Sequence, residues 1–208
     1  MLKPVIQKKQ LTTIEATELL KQSFFEKTYV SSGDISGCKI DDLSLEKVHI
    51  ESVTFNQIKI KELSALDSIF TKCSFAGAII EQSYFVRLEI ESTRLQGVQL
   101  TELRAVDTTF ISSKLNDANF RYSKLKNVLF KSCNLTEIDF IGADLKNVVF
   151  EECDLTHSNF SQTQLNNVHF SSSKITDIII SPEAIKEVFV DTGQALYLSS
   201  IFGLKIKD

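Results

Sequence analysis

The residues of this chain that could do chemistry are the thiols Cys38, Cys73, Cys133 and Cys153, the imidazoles His49, His157 and His169, and carboxylates that include Glu89, Glu91, Glu151 and Glu152. Thiols and imidazoles close together hold metals, and an imidazole beside a hydroxyl or thiol activates a nucleophile. The sequence offers neither arrangement: the histidines are scattered, and cysteine, histidine and carboxylate nowhere cluster at ligand spacing. It also contains no glycine-rich phosphate loop and no nucleophile elbow. The expectation is a protein that is not an enzyme and takes no cofactor or metal. The carboxylates can instead make a surface charge, and its strength depends on which of them share a face.

Faces are set by an internal repeat. Every fifth residue from Phe25 to Ile180 is apolar, and only Ala65 and Ala105 in that series are small. Such a period fits neither the alternation of a strand nor the turn of a helix, so the chain must bend once per unit. If each unit is a short extended side followed by a corner, the large residue and the residue two before it both point inward. Two residues after the large one stand types that corners favour, among them Gly37, Asp42, Ser52, Gly77, Gly97, Asn127 and Asn167. Four sides close a square coil of about twenty residues, and residues 23–182 then make about eight coils, roughly 38 Å tall at about 4.8 Å per stacked strand. From Phe110 to Phe170 the series alternates Phe and Leu, which puts phenylalanine on two opposite sides and leucine on the other two. Leu63 and Leu103 precede the two alanines by two positions, a local exchange of large and small.

This frame accounts for the cysteines. All four fall two residues before a member of the series, a phase held elsewhere by Ser68, Ala78, Ser83, Thr93, Ala118 and Ser123, so they read as small buried side chains. Cys133 and Cys153, one coil apart, would stack with parallel side chains, which suits a disulfide poorly. With 208 residues, 43% hydrophobic and 24% charged, the chain is expected to fold around one continuous core. No apolar run is long enough to span a bilayer, and Met1-Leu2-Lys3-Pro4 lacks the apolar core of a signal peptide, so a cytoplasmic protein without membrane contact is expected. A net charge of −4 argues against a direct grip on nucleic acid phosphates.

Flanking segments complete the organisation. In residues 1–22, Thr12-Thr13-Ile14-Glu15 matches a capping box and opens a short helix through Leu19 and Leu20, a lid for the first coil. In residues 183–208, Ser181-Pro182-Glu183 leads into a short helix to about Val188. A second helix follows Asp191 and stops at Gly203, with Leu204-Lys205-Ile206 as a final extended piece. That helix is more apolar than a lid requires. Ala195, Leu196, Leu198, Ile201 and Phe202 cover more than one face, so one face can cap the last coil while another meets a second copy in a homodimer.

Units such as Ala118-Asn119-Phe120-Arg121-Tyr122, Ala143-Asp144-Leu145-Lys146-Asn147 and Cys153-Asp154-Leu155-Thr156-His157 resemble the A-(D/N)-(L/F)-x-x consensus of the pentapeptide repeat family, in register over residues 23–182. The resemblance implies an all-β solenoid, that family's right-handed quadrilateral β-helix. The match thins before Phe110, where Lys, Ser, Ile or Glu often precedes the large residue. The tail from Asp191-Thr192-Gly193-Gln194-Ala195 through Phe202-Gly203-Leu204 is similar to that of the MfpA-type and Qnr-type quinolone-resistance members. That likeness implies a two-fold dimer, a long rod that resembles duplex DNA in width and charge and binds DNA gyrase or topoisomerase IV, a type II topoisomerase. The register-breaking loops of many Qnr-type proteins are absent.

Charge sorted by side bears on that implication. The side of Glu51, Glu89, Glu91, Glu151 and Glu152 carries 5 acidic residues against 2 basic, whereas the side of Ala65 and Ala105 carries 4 against 6. A DNA mimic calls for a more continuous negative field, so the acidic side stands either as a mimic or as a face that keeps a solenoid soluble. Outward apolar residues mark a different site. Leu66, Val86 and Val106 repeat in one phase over three coils, with Tyr84 beside them, as either a protein-binding ladder or strand-stabilising pairs. Two functions follow: a dimeric topoisomerase binder, or an interaction scaffold whose partner docks on the ladder.

Overall fold

The computed structural model describes residues 1–6 and 11–205 apart from the Lys186 side chain, and in it the repeat closes into a parallel β-solenoid. Each rung pairs with the one twenty residues on: Leu45 opposes Ala65, Ala105 opposes Leu125, Phe110 opposes Phe130, and Asn159 opposes Ile179. The first wall carries Phe25, Leu45 and each twentieth residue to Leu165; the second runs from Val30 to Phe170, the third from Ile35 to Ile175, and the fourth from Ile40 to Ile180. Backbone groups of inner coils thereby find partners in the coils on either side, and only the two ends present open edges.

Corners come where the repeat places them. Two positions after the series residue the backbone is left-handed, as at Asp67 (φ 48°), Asn127 (φ 53°), Asn147 (φ 53°) and Asn167 (φ 56°). Ser172 departs from this, as do two earlier positions, Asp42, expected as such a corner, and Glu62. The latter two lie inside strands, Lys39–Glu46 and Lys59–Leu66, which pair Asp42 with Glu62 and carry the ladder through the bend. A left-handed residue other than glycine costs about 1 kcal/mol, and these two coils avoid that cost by extended pairing.

Inward phases fill the tower. Phe110, Phe130, Phe150 and Phe170 stack on the second wall with centroids 4.8, 5.2 and 5.2 Å apart. Phe120, Phe140 and Phe160 stack on the fourth wall at 5.4 and 5.1 Å, and rings of the two walls meet edge-on across the lumen. Leucines fill the walls between, as the alternation implies, and each buried side chain contributes about 2 kcal/mol before entropy. The second inward position is not reserved for small side chains: Ile58, Leu88, Val98 and Ile138 are fully buried there, beside the exchanged pairs Leu63/Ala65 and Leu103/Ala105.

The ends depart from the sequence expectation. Thr12–Ile14 is not a helix cap but a strand, paired with Thr28, Tyr29 and Val30. The capping box does not form; Ala16–Leu20 is a 3-10 helix with no side-chain bond at its N-cap, Glu15. It still serves as the lid, with Ala16 and Leu19 buried. Ala16 packs so closely on Gly33 that a Cβ there would come within 2.6 Å of it. After the coils, Pro182–Lys186 is likewise 3-10, and Val188 lies in a strand, Glu187–Phe189, that adds to Gln164–His169 across a bulge. In both places an unpaired edge of backbone donors and acceptors draws the flanking chain into one more rung. The second wall therefore shows ten rungs and about nine turns rather than eight. The C-terminal helix, Thr192–Ile201, forms as expected, capped by Asp191 and Gln194 and stopped at Gly203. Ile206 lies outside the described residues.

Candidate functional site

The tower's interior absorbs three of the four thiols. Cys73, Cys133 and Cys153 share one inward column of the third wall with Thr93, Ser113 and Ser173. Their thiols donate to carbonyls one coil back and two residues back, Cys73 to Ile50 and Thr71, Cys133 to Phe110 and Lys131, Cys153 to Phe130 and Glu151. Backbone N–H groups run the other way: Cys73 donates to Thr93 Oγ1 (3.2 Å), Thr93 to Ser113 Oγ (3.1 Å), and Cys153 to Ser173 Oγ (3.0 Å). Burial pushes the Cys73 thiol up to about 11, and the Cys133 sulfur together with burial holds the Cys153 thiol protonated. All four cysteines are free thiols; three are buried and Cys38 is half-buried. Protonated and bonded to carbonyls, the Cys73 and Cys153 thiols are packing groups rather than nucleophiles.

The histidines are equally separate. His49 is buried beside Tyr29, His157 approaches Asp177 at 3.7 Å on the surface, and His169 stacks on Phe189 at 4.2 Å. Among the described residues no group of His, Cys, Asp and Glu could hold a metal. Nor is any described helix long and apolar enough to cross a membrane.

Surface sites remain, and the walls differ. On the second wall Glu51 accepts from the Tyr29 hydroxyl (2.8 Å) and approaches Lys72 (3.5 Å), Glu151 pairs with Lys131, and Glu152 accepts from Ser132 (2.9 Å). These hydrogen bonds hold the Glu51 carboxyl below its ordinary value, the Tyr29 bond most of all. Glu89 and Glu91 stand on one rung between Ile69–Thr71 and Thr109–Ile111, outside any ion pair among the described residues. The column that holds Glu51, Glu91 and Glu151 is interrupted by Thr71, Ile111 and Lys131, so the negative surface is discontinuous.

On the first wall strand register aligns Leu66 with Val86 and Val86 with Val106, all half-buried. Beside that ladder runs Ser64, Tyr84, Arg104 and Lys124 in the other outward column, with the Arg104 guanidinium 5.7 Å from the centre of the Tyr84 ring. Along the corner shared with the second wall, Arg87 grips Asp67 through two bonds of 2.6 and 2.7 Å, and Asn127, Asn147 and Asn167 continue as an amide ladder from Asp107. The first six residues lie along this corner. The Val5 N–H donates to Asp67 (3.3 Å) and the Leu2 N–H to Asp107 (3.2 Å), two coils apart. The spacing in the sequence, Asp67 to Arg87 one coil on, was a signal for the ion pair; the strap by residues 1–6 had none.

At the C-terminal end the helix divides its apolar residues. Leu198 is buried against the last coil and Phe202 half-buried, whereas Ala195, Leu196 (50% exposed) and Ile201 (43%) face outward. Ile179, Phe189 and Leu204 are also exposed at this end. Gln194, fully enclosed, donates its amide to the carbonyls of Phe170 (2.7 Å) and Ser173 (2.6 Å) and closes the open edge.

Against known proteins, a family model described as a pentapeptide repeat region matches residues 90–160 and 123–192. Similar solved structures include a trypsin-treated variant of QnrB1, a plasmid-mediated fluoroquinolone resistance protein, with 17% identity over 86% of this chain and 99% of that one and a TM-score of 0.43. Full-length QnrB1 gives 17% identity over 85% and 100%, with a TM-score of 0.32. HetL, a pentapeptide repeat protein involved in heterocyst differentiation regulation in the cyanobacterium Nostoc sp. strain PCC 7120, gives 13% identity over 85% and 94%, with a TM-score of 0.31. No curated protein matches significantly.

Proposed function

Because this chain belongs to the pentapeptide repeat family, we propose that it works as a non-enzymatic rod that binds protein partners through its first wall and pairs with a second copy through its C-terminal end. The register-aligned ladder of Leu66, Val86 and Val106, with exposed Tyr84 alongside, carries this reading. An apolar column at fixed spacing gives an interface surface to bury, and the exposed Tyr84 ring beside it is of the type that interfaces use as an anchor. Exposed Leu196 and Ile201, with Ala195 between the turns and the half-buried edge of Phe202, supply an apolar surface for the second copy. Leu198 supports that surface from beneath. Replacing Val86 with Glu should remove a captured partner without lowering the melting temperature; an unchanged partner set rejects the wall as the site.

A second reading is favoured by the acidic second wall and by the tail's likeness to the quinolone-resistance members. Here Glu89, Glu91, Glu151 and Glu152 stand in for phosphate charge and the partner is DNA gyrase or topoisomerase IV. Purified protein added to a gyrase supercoiling reaction should then change supercoiling or relieve fluoroquinolone poisoning at micromolar concentration, with salt weakening the effect. No change at any concentration eliminates it.

A further inference from the structure

We infer that the margin of the first wall next to the fourth wall is a docking groove for an extended acidic segment of a partner polypeptide; this rests on the reading of the chain as a protein-binding rod. The groove, of about 440 Å³, is lined by Gln82, Tyr84, Glu102, Arg104, Tyr122 and Lys124. Its aromatic walls are fixed in place. Tyr84 lies under the Arg104 guanidinium. Tyr122 lies across Gly142, where a Cβ would come within 2.7 Å of the ring, so the missing side chain makes the room. Both tyrosines are still about half exposed, at 47% and 58%.

Charge selects the occupant. The other cations of this wall are spent internally, Lys47 on Glu46 and Arg87 on Asp67. Arg104, Lys124, Lys126 and Lys146 have no ion-pair partner among the described residues, and register stacks Arg104 on Lys124 and Lys126 on Lys146. Like charges on adjacent coils repel, a cost that an anionic partner relieves. Glu102 on the corner and Asp144, which follows Lys124 in register, bound the positive strip at its margin and its end. A guanidinium takes a carboxylate bidentately, and a tyrosine face accepts the apolar part of a neighbouring side chain.

The shape of the occupant follows from the opposite margin of the same wall. There residues 1–6 lie along the tower axis, bonded to Asp107 through Leu2 and to Asp67 through Val5. Three residues of extended chain span about 10 Å, which matches two coils at about 4.8 Å each. An extended strand therefore keeps step with the coils, and the cationic margin presents the same spacing to a segment bearing carboxylates.

The test uses the full chain and a short fluorescein-labelled peptide of repeating Glu-Glu-Tyr, with a single-stranded oligodeoxynucleotide of equal charge as the competing probe. The peptide should bind at low salt, and the double variant Arg104→Gln/Lys124→Gln should bind it about tenfold more weakly at unchanged melting temperature. Arg94→Gln/Lys114→Gln, the same charge change on the third wall, should leave affinity as in the wild type. Equal affinity for wild type and the Arg104/Lys124 variant, equal weakening by the control, or tighter binding of the oligonucleotide than of the peptide would each overturn the inference. Should Val86→Glu lose a captured partner while the Arg104/Lys124 variant keeps the peptide, the groove fails and the rod reading stands. Loss of peptide binding in the Arg104/Lys124 variant with captured partners indifferent to Val86→Glu supports the groove and counts against the ladder.

Discussion

Thr93 and Ser123 occupy the same inward phase and make opposite use of it. Thr93 Oγ1 accepts from the Cys73 N–H and donates to the Glu91 carbonyl, whereas Ser123 Oγ is buried with no partner among the described residues. Thr93→Ala should therefore cost about 1–3 kcal/mol in urea unfolding, and Ser123→Ala should be neutral or stabilising by up to about 1 kcal/mol. Asp67 gives a pH signature. The Arg87 guanidinium, helped by the Val5 N–H, holds its carboxyl below the ordinary 3.8. The folded state thus binds this proton less readily than the unfolded chain, so the stabilisation is complete above that value and fades as pH falls through the lower folded value. Unfolding curves at stepped pH should show wild type outstripping Asp67→Asn above about pH 4, with the gap closing as pH falls below that. The inward phase of Thr93, Ser123 and the cysteines was legible from spacing alone. Which hydroxyls find a carbonyl was not, because a shift of tenths of an ångström between coils decides each bond.

Elements at the two ends carry the burden of closing an open solenoid. Gln194 does so at the C-terminal end by donating to the Ser173 carbonyl and to the Phe170 carbonyl, which also accepts from the Ser173 N–H, and Asp191 fixes the helix that carries it. Gln194→Leu should lower hydrogen-exchange protection in the last coil by about 1–3 kcal/mol while leaving the central coils unchanged. Protection lost uniformly along the tower would contradict a local cap. This helix was legible because Asp191, Gln194 and Gly203 are local signals. The segment Thr12–Ile14 was misleading for the converse reason. Its Thr-x-x-Glu pattern is local, but pairing with Thr28–Val30 satisfies backbone groups of the first coil, and that distant gain decides its conformation. The same competition turned Val188 from helix to strand.

At the scale of the molecule, the five-residue period reveals the fold and the phenylalanine walls, and undercounts turns because rungs recruited from the flanks lie outside the period. Surface function was much less legible. Outward positions are constrained only by solubility and neighbours, so the free cations and the strap by residues 1–6 emerge only when coils are stacked. Pairing of two copies through Leu196 and Ile201 should give a dimer mass by light scattering after size exclusion, and Leu196→Glu/Ile201→Glu should give a monomer of unchanged melting temperature; a wild-type monomer at high micromolar concentration excludes it. The binding role is tested most directly by quantitative affinity capture with the wild-type rod and with Val86→Glu, both shown to be folded, as baits. A protein-binding first wall predicts at least one protein enriched on the wild type and lost from the variant. The same partners on both baits, or none enriched above an empty bait, would contradict it.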